Sequence, residues 1–297
     1  MRTRTLLGEG ATNCHDGFTD FFAASLASFW LLVQNGGPGA YAGPPEPMQR
    51  TLLGIWTWFA FAAISSVGYV LCLALFLLTF AFDRNRVVTG SAIRFTGRMM
   101  CAAVPAWKFS YQKPVPLPLP PRAVCVSNHC SNIDPFLLAH LPFEMKYLAK
   151  SGLFRIPAVG WGMKIAGDIS LVRGSPRSIK AAMAKAAQYV ARGMPVLIFP
   201  EGTRSTSGEL LPFKDGAFRL AIQQQAAVVP IALAGTTAAL KKGDWRPGPA
   251  HGTALVGDPL PTEGLEMKDL PELKRQARSA IEQLRQRLKQ KRNEALP

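Results

Sequence analysis

The chain has 297 residues, enough for one large domain or a domain with an appendage, and at 48% hydrophobic it can bury a full core with apolar surface left over. Its net charge is +15; residues 1–50 carry −1, so the other residues carry +16 and suit polyanions: nucleic acid, anionic lipid or an acidic carrier. Five widely spread cysteines, one inside an apolar run, exclude a disulfide framework and point to a reducing compartment.

Residues 1–47 read as an N-terminal extension, disordered or outside the native chain, with Met48 as an alternative start. Within it, residues 21–33 are apolar but too short to span a membrane, and 35–47 form a Gly/Pro-rich linker. The acidic Asp16 and Asp20 set the stretch apart from a signal peptide. Residues 51–82 then run for 32 positions without a charge. As a straight helix they would reach roughly 48 Å, against about 30 Å for a hydrocarbon core, so the segment tilts, projects, or bends back near Ser65, Ser66 and Gly68. Arg84 and Arg86 just beyond it favour a cytosolic C-terminal side. Residues 89–111 mix Arg94, Arg98 and Lys108 with large apolar side chains and read as one helix, lying at the membrane interface or packed on the domain. Five prolines in residues 114–121 make a stiff connector.

From residue 122 onward, β-branched runs at 123–127, 167–172, 196–199, 228–233 and 253–256 alternate with helical patterns. Ser175 as N-cap and Pro176 open one helix; Asp269-Leu270-Pro271-Glu272 reads as the capping box of a last helix with Leu273, Ala277, Ile281, Leu284 and Leu288 on one face and a heavily basic opposite face. The alternation predicts an α/β fold, a mixed, largely parallel sheet flanked by helices, behind an N-terminal membrane-embedded helical segment.

Two short motifs carry the chemistry. In Asn128-His129-Cys130-Ser131-Asn132-Ile133-Asp134, His129 falls just past the C-terminal end of a buried strand, where open α/β sheets place ligands. On a helix two residues five apart would not meet, but in a strand-to-helix loop Asp134 can hold one ring nitrogen while the other accepts a proton. In Phe199-Pro200-Glu201-Gly202-Thr203-Arg204-Ser205, Gly202 permits a turn that brings N–H groups near an anion, and Arg204 offers a planar fork that matches phosphate. Glu201 is expected to accept a hydrogen bond from substrate or to orient Arg204. Arg173, ending the strand at 167–172, is a second candidate phosphate contact or simply a strand-end surface Arg, and Lys214 is a weaker third candidate. A metal hydrolase built on His129, Asp134 and Cys125 or Cys130 is the rival reading, but the spacing matches no standard zinc site.

The two motifs, with the Arg173 block between them and Val229-Pro230-Ile231 after them, resemble in order the four blocks of the glycerolipid acyltransferases, and in particular the 1-acylglycerol-3-phosphate (lysophosphatidic acid) acyltransferases. The resemblance covers about residues 120–235. It implies transfer of an acyl chain from acyl-CoA or acyl carrier protein to the sn-2 hydroxyl of lysophosphatidic acid, giving phosphatidic acid for phospholipid synthesis. His129 would be the base and Asp134 its orienting partner; Arg173, Glu201, Gly202, Thr203, Arg204 and Lys214 would bind substrate. No cofactor, metal or nucleic acid is implied; the enzyme would sit on an anionic membrane with its catalytic domain on the cytosolic face. Other acceptors fit the same chemistry (lyso-ornithine lipid, lysophosphatidylcholine, glycerol-3-phosphate), and a catalytically inactive lipid-binding protein is the non-enzyme alternative. The implied organisation is an extension at 1–47, a membrane-anchoring segment at 48–112, an acyltransferase domain at 113–265 and a basic amphipathic helix at 266–297.

Overall fold

The computed structural model describes residues 47–205, 207–241 and 243–294, so the readings of residues 1–46 lie outside the described residues. The first helix, α1 (Pro47–Thr79), is long and apolar enough to cross a membrane, and only 22% of its most apolar stretch is buried. A core helix would hide that surface. Its polar side chains turn inward on their own helix: Ser65 Oγ donates to Phe61 O at 2.6 Å and Ser66 Oγ to Ala62 O at 2.8 Å. The helix therefore runs unbroken through Ser65, Ser66 and Gly68, where a bend was one expectation. The chain reverses later, after Thr79. There Asp83 accepts the N–H groups of Val87 and Val88 at 2.8 and 2.9 Å and so opens α2 (Val87–Ala102). Gly68 lets the two helices touch, since a Cβ there would lie 2.4 Å from Thr96 Oγ1.

The reading of 89–111 as one helix fails past Ala102. Pro105 cannot continue a helix, and Trp107, Phe109 and Tyr111 alternate with Lys108 and Ser110 in the period of a strand, β1 (Trp107–Tyr111). Of the two placements expected for this helix, packing on the domain is the one that fits Arg94, which is largely buried: its Nη2 lies 2.5 Å from Asp168 Oδ1, and its guanidinium lies 3.6 Å above the Tyr147 ring centroid. This pairing ties α2 to the sheet.

The sheet continues with β2 (Ala123–Ser127), β3 (Lys146–Lys150), β4 (Ile169–Leu171), β5 (Val196–Ile198), β6 (Ala227–Ala234) and β7 (Ala250–Val256). Its order is β1-β7-β6-β2-β5-β3-β4. Strands β6, β2, β5, β3 and β4 are mutually parallel, while β7 runs antiparallel to β6 and β1 parallel to β7. The expected mixed, largely parallel sheet is therefore present. Strand β3 escaped the sequence reading because both its ends are lysines; Lys146 is nonetheless fully buried, with Nζ donating to Arg86 O at 2.8 Å and Glu144 Oε1 at 3.1 Å.

Helices cover both faces because alternate strand residues point opposite ways. Val124, Val126, Val196, Ile198 and Val228 pack against α5 (Pro176–Ala191), α6 (Gly216–Gln224) and α7 (Leu270–Glu294). Cys125, Leu197, Val229 and Ile231 face Leu137 and Leu138 of the short α3 (Asp134–Leu138). A fourth helix, α4 (Val159–Ile165), precedes β4. Ser175 caps α5 as expected, its Oγ accepting Ser178 N–H at 3.3 Å. The capping box of α7 lies one turn earlier than its sequence reading: Glu266 and Asp269 cap each other around a 3-10 turn, Met267–Asp269, that leads into the helix. All five residues expected on its apolar face are buried.

Candidate active site

Because β2, β5 and β6 are parallel, their C-terminal ends meet at one edge of the sheet, and the site forms there. His129 follows β2, residues 199–205 follow β5, and Gly235-Thr236-Thr237 follow β6. Asn128 bridges the first and last of these, donating to Leu233 O at 3.0 Å and accepting Leu233 N–H at 2.8 Å.

His129 Nδ1 lies 2.8 Å from Asp134 Oδ2. The same oxygen accepts the N–H groups of Cys130 and Ser131 at 2.7 and 2.9 Å, and Oδ1 accepts the Thr236 hydroxyl at 2.5 Å. Surrounded by donors, Asp134 acts as an acceptor, so Nδ1 carries the ring proton and Nε2 is left to take one. Asp134 is the first residue of α3, with Ile133 as N-cap, so its side chain is free to turn back into the loop. Phe199 stacks on the imidazole, ring centroids 4.2 Å apart at 21°, fixing the ring plane. Burial, then the charge of Asp134, pushes the Cys130 thiol up to about 12, and burial pushes Cys125, inside β2, to about 12 as well. Both thiols stay protonated near neutral pH, the wrong form for a nucleophile. Among the described residues no group of three or more His, Cys, Asp or Glu is placed to hold a metal ion.

The second motif divides its tasks differently from its sequence reading. Glu201 is buried, and its oxygens accept main-chain N–H groups: Oε1 from His129 at 2.9 Å and Oε2 from Leu211 at 3.0 Å. It thus holds the His129 loop against the loop after β5, with burial, the largest influence, raising its pKa. Ser205 N–H donates to His129 O at 2.8 Å and closes the same junction. Gly202, at φ 69°, makes a left-handed turn whose own N–H goes to Phe199 O at 3.0 Å. A Cβ on Gly202 would lie 2.8 Å from Lys214 Nζ, so the lysine chain crosses directly over the turn. Thr203 is exposed, and Arg204 is half-buried with no carboxylate partner among the described residues. Arg173 is exposed in the turn after β4, three strands from β2 along the same sheet edge.

A cavity of about 220 Å³ opens beside His129 and Glu201. Its far wall is the C-terminal half of α7, contributing Arg285, Lys289 and Arg292. Sequence reasoning missed this wall and Thr236. The i, i+4, i+7 spacing of the three cations was visible, but nothing in the sequence placed that face of the helix beside His129.

Fold and site together define an α/β protein with a carboxylate-oriented histidine at the carboxyl edge of its sheet, beside a cationic cavity. Residues 108–234 match the family model Acyltransferase. A 1-acyl-sn-glycerol-3-phosphate acyltransferase from Chlamydomonas reinhardtii is 33% identical over 231 residues, 75% of this chain and 68% of that protein. The chain accordingly belongs to the acyltransferase family. A chloroplastic 1-acyl-sn-glycerol-3-phosphate acyltransferase from Brassica napus is 44% identical over 113 residues, 38% of this chain; the match spans only a third of that relative's length (33%). The crystal structure of the 1-acyl-sn-glycerophosphate acyltransferase from Thermotoga maritima shares the fold, with TM-score 0.62 and 22% identity over 80% of this chain and 97% of that one.

Proposed function

We propose that this protein is a membrane-bound 1-acylglycerol-3-phosphate acyltransferase, moving an acyl chain from acyl-CoA or acyl carrier protein to the sn-2 hydroxyl of lysophosphatidic acid. The observation that carries this reading is the His129–Asp134 pair with Nε2 left free beside a cavity. The named relatives supply the acceptor, and an alcohol needs such a base because its own pKa lies far above neutrality. His129 Nε2 takes the hydroxyl proton as the oxygen attacks the thioester carbonyl, and Asp134 stabilises the imidazolium. The carbon–sulfur bond then breaks, the proton passes to the departing thiolate, and ester and free thiol leave. The thioester is already activated, so no covalent enzyme intermediate enters.

Arg204 and Lys214, around the turn of Gly202 and Thr203, are assigned the phosphate of the acceptor, with Arg173 as an outlying contact; Glu201 acts from behind by holding the His129 loop. Helix α1 is assigned to the membrane, with Arg84 and Arg86 keeping its C-terminal end and the catalytic domain on the cytosolic face. The test is acyl transfer by the purified protein in detergent, with labelled lysophosphatidic acid and palmitoyl-CoA, beside His129→Ala. The expected result is phosphatidic acid from wild type and a loss on the order of 10²–10⁴-fold in the variant. Equal product from both would refute the base; no product from either, with acyl carrier protein tried as well, would refute the activity.

A further inference from the structure

Two anionic substrates must meet at His129, yet the sequence motifs account for one set of cations. A second set stands on α7, beyond the region 108–234 that matches the family. We propose that Lys289 and Arg292 form the docking row for the phosphates of the acyl donor; this deepens the acyl-transfer reading and rests on it.

Of the eight Lys and Arg in α7, four have work within the fold. Lys274 pairs with Asp215 and Arg275 with Glu272, while Arg278 donates to the carbonyls of Leu210 and Leu211. Arg285 is buried, bonded to Glu282 at 2.8 Å and to the carbonyl of Gly208. The other four, Arg287, Lys289, Lys291 and Arg292, are exposed, with no partner among the described residues. At 100° per residue, Lys289 and Arg292 fall about 40° and 20° either side of Arg285, whereas Arg287 and Lys291 point to the opposite side. Only the first two line the cavity.

The row runs outward. From Arg285 to Arg292 it rises about 10.5 Å along the helix axis, from a buried anchor toward solvent. A cavity of about 220 Å³ falls below the range of drug-sized ligand sites and is too small for a whole acyl-CoA, so with the thioester at His129 the nucleotide and its phosphates would lie outside it. Exposed cations at the mouth are where those phosphates would lie. The acceptor's phosphate, only a few bonds from its reacting hydroxyl, needs no such row.

The test compares Lys289→Gln/Arg292→Gln with Arg287→Gln/Lys291→Gln, which removes the same charge from the opposite side of the same turns. For the first, KM for palmitoyl-CoA should rise on the order of tenfold while kcat at saturating donor and KM for lysophosphatidic acid hold; for the second, all three hold. Calorimetric binding of free CoA to His129→Ala protein should weaken by the same factor on adding Lys289→Gln/Arg292→Gln. Because this binding needs no turnover, it stands or falls apart from the acyl-transfer reading. An effect with acyl-CoA alone assigns the nucleotide phosphates, and one with acyl carrier protein as well assigns the phosphate of the shared pantetheine arm; either supports the proposal. A rise in KM for the lysolipid instead, equal losses in both double variants, or no change in donor KM and CoA binding would overturn it.

Discussion

Glu201 is where sequence and geometry disagree most usefully, and Glu201→Gln separates the two accounts. The carboxylate accepts two main-chain N–H groups, from His129 at 2.9 Å and Leu211 at 3.0 Å, in a buried setting. Glutamine keeps one acceptor oxygen but turns an NH₂ toward the other N–H. One hydrogen bond to a charged group is lost and one buried donor is left facing a donor, together costing about 3 kcal/mol. For a chain of this size that lowers Tm by about 5 °C. The loosened His129 loop should also cost about ten- to a hundredfold in kcat, through misplacement of the base, with KM for lysophosphatidic acid nearly unchanged. The assays are thermal unfolding in detergent and steady-state acyl transfer on the same preparation. An unchanged Tm with a rise in lysolipid KM of tenfold or more would refute this reasoning and return Glu201 to the substrate.

The buried Arg94–Asp168 pair joins α2 to the sheet, so Arg94→Met strands a carboxylate with no exposed side-chain surface and should cost about 3–5 kcal/mol, whereas adding Asp168→Leu should recover part of that loss; denaturant unfolding of single and double variants checks it, and additive losses would refute the pairing. Burial, opposed by a bond to Phe136 O and assisted by Arg98, lowers the pKa of His140 below its ordinary value. The native state therefore binds this proton less readily than the unfolded one, and the stabilisation present above about pH 6.5 is lost as pH falls through the lowered native value. His140→Gln should flatten the decline of Tm between about pH 6.5 and 5; an undiminished slope would assign the decline to other groups.

The sequence by itself determined the class of fold and the pairing of His129 with Asp134. β-branched apolar runs and helical apolar stripes are local, so β2, β6 and α7 were legible from their own residues, and a histidine just past a buried strand already belonged at the sheet's carboxyl edge. The pair needed only five residues and a loop. Where charge masked a local pattern the reading failed: β1 hid within a stretch mixing Arg94, Arg98 and Lys108 with apolar residues and taken for one helix, and β3 behind terminal lysines, because burial of Lys146 rests partly on the Arg86 carbonyl 60 residues away, which only folding brings to it.

The tertiary structure alone decided the rest of the site, because its contacts cross long sequence separations. Thr236 reaches Asp134 across 102 residues, Glu201 reaches the main chain of His129 across 72, and both meetings depend on β2, β5 and β6 being parallel neighbours. The same holds for α7. Its apolar stripe was readable as a stripe, but which cations then face His129 follows from how that stripe seats on the sheet, a packing outcome that spacing along the helix leaves open.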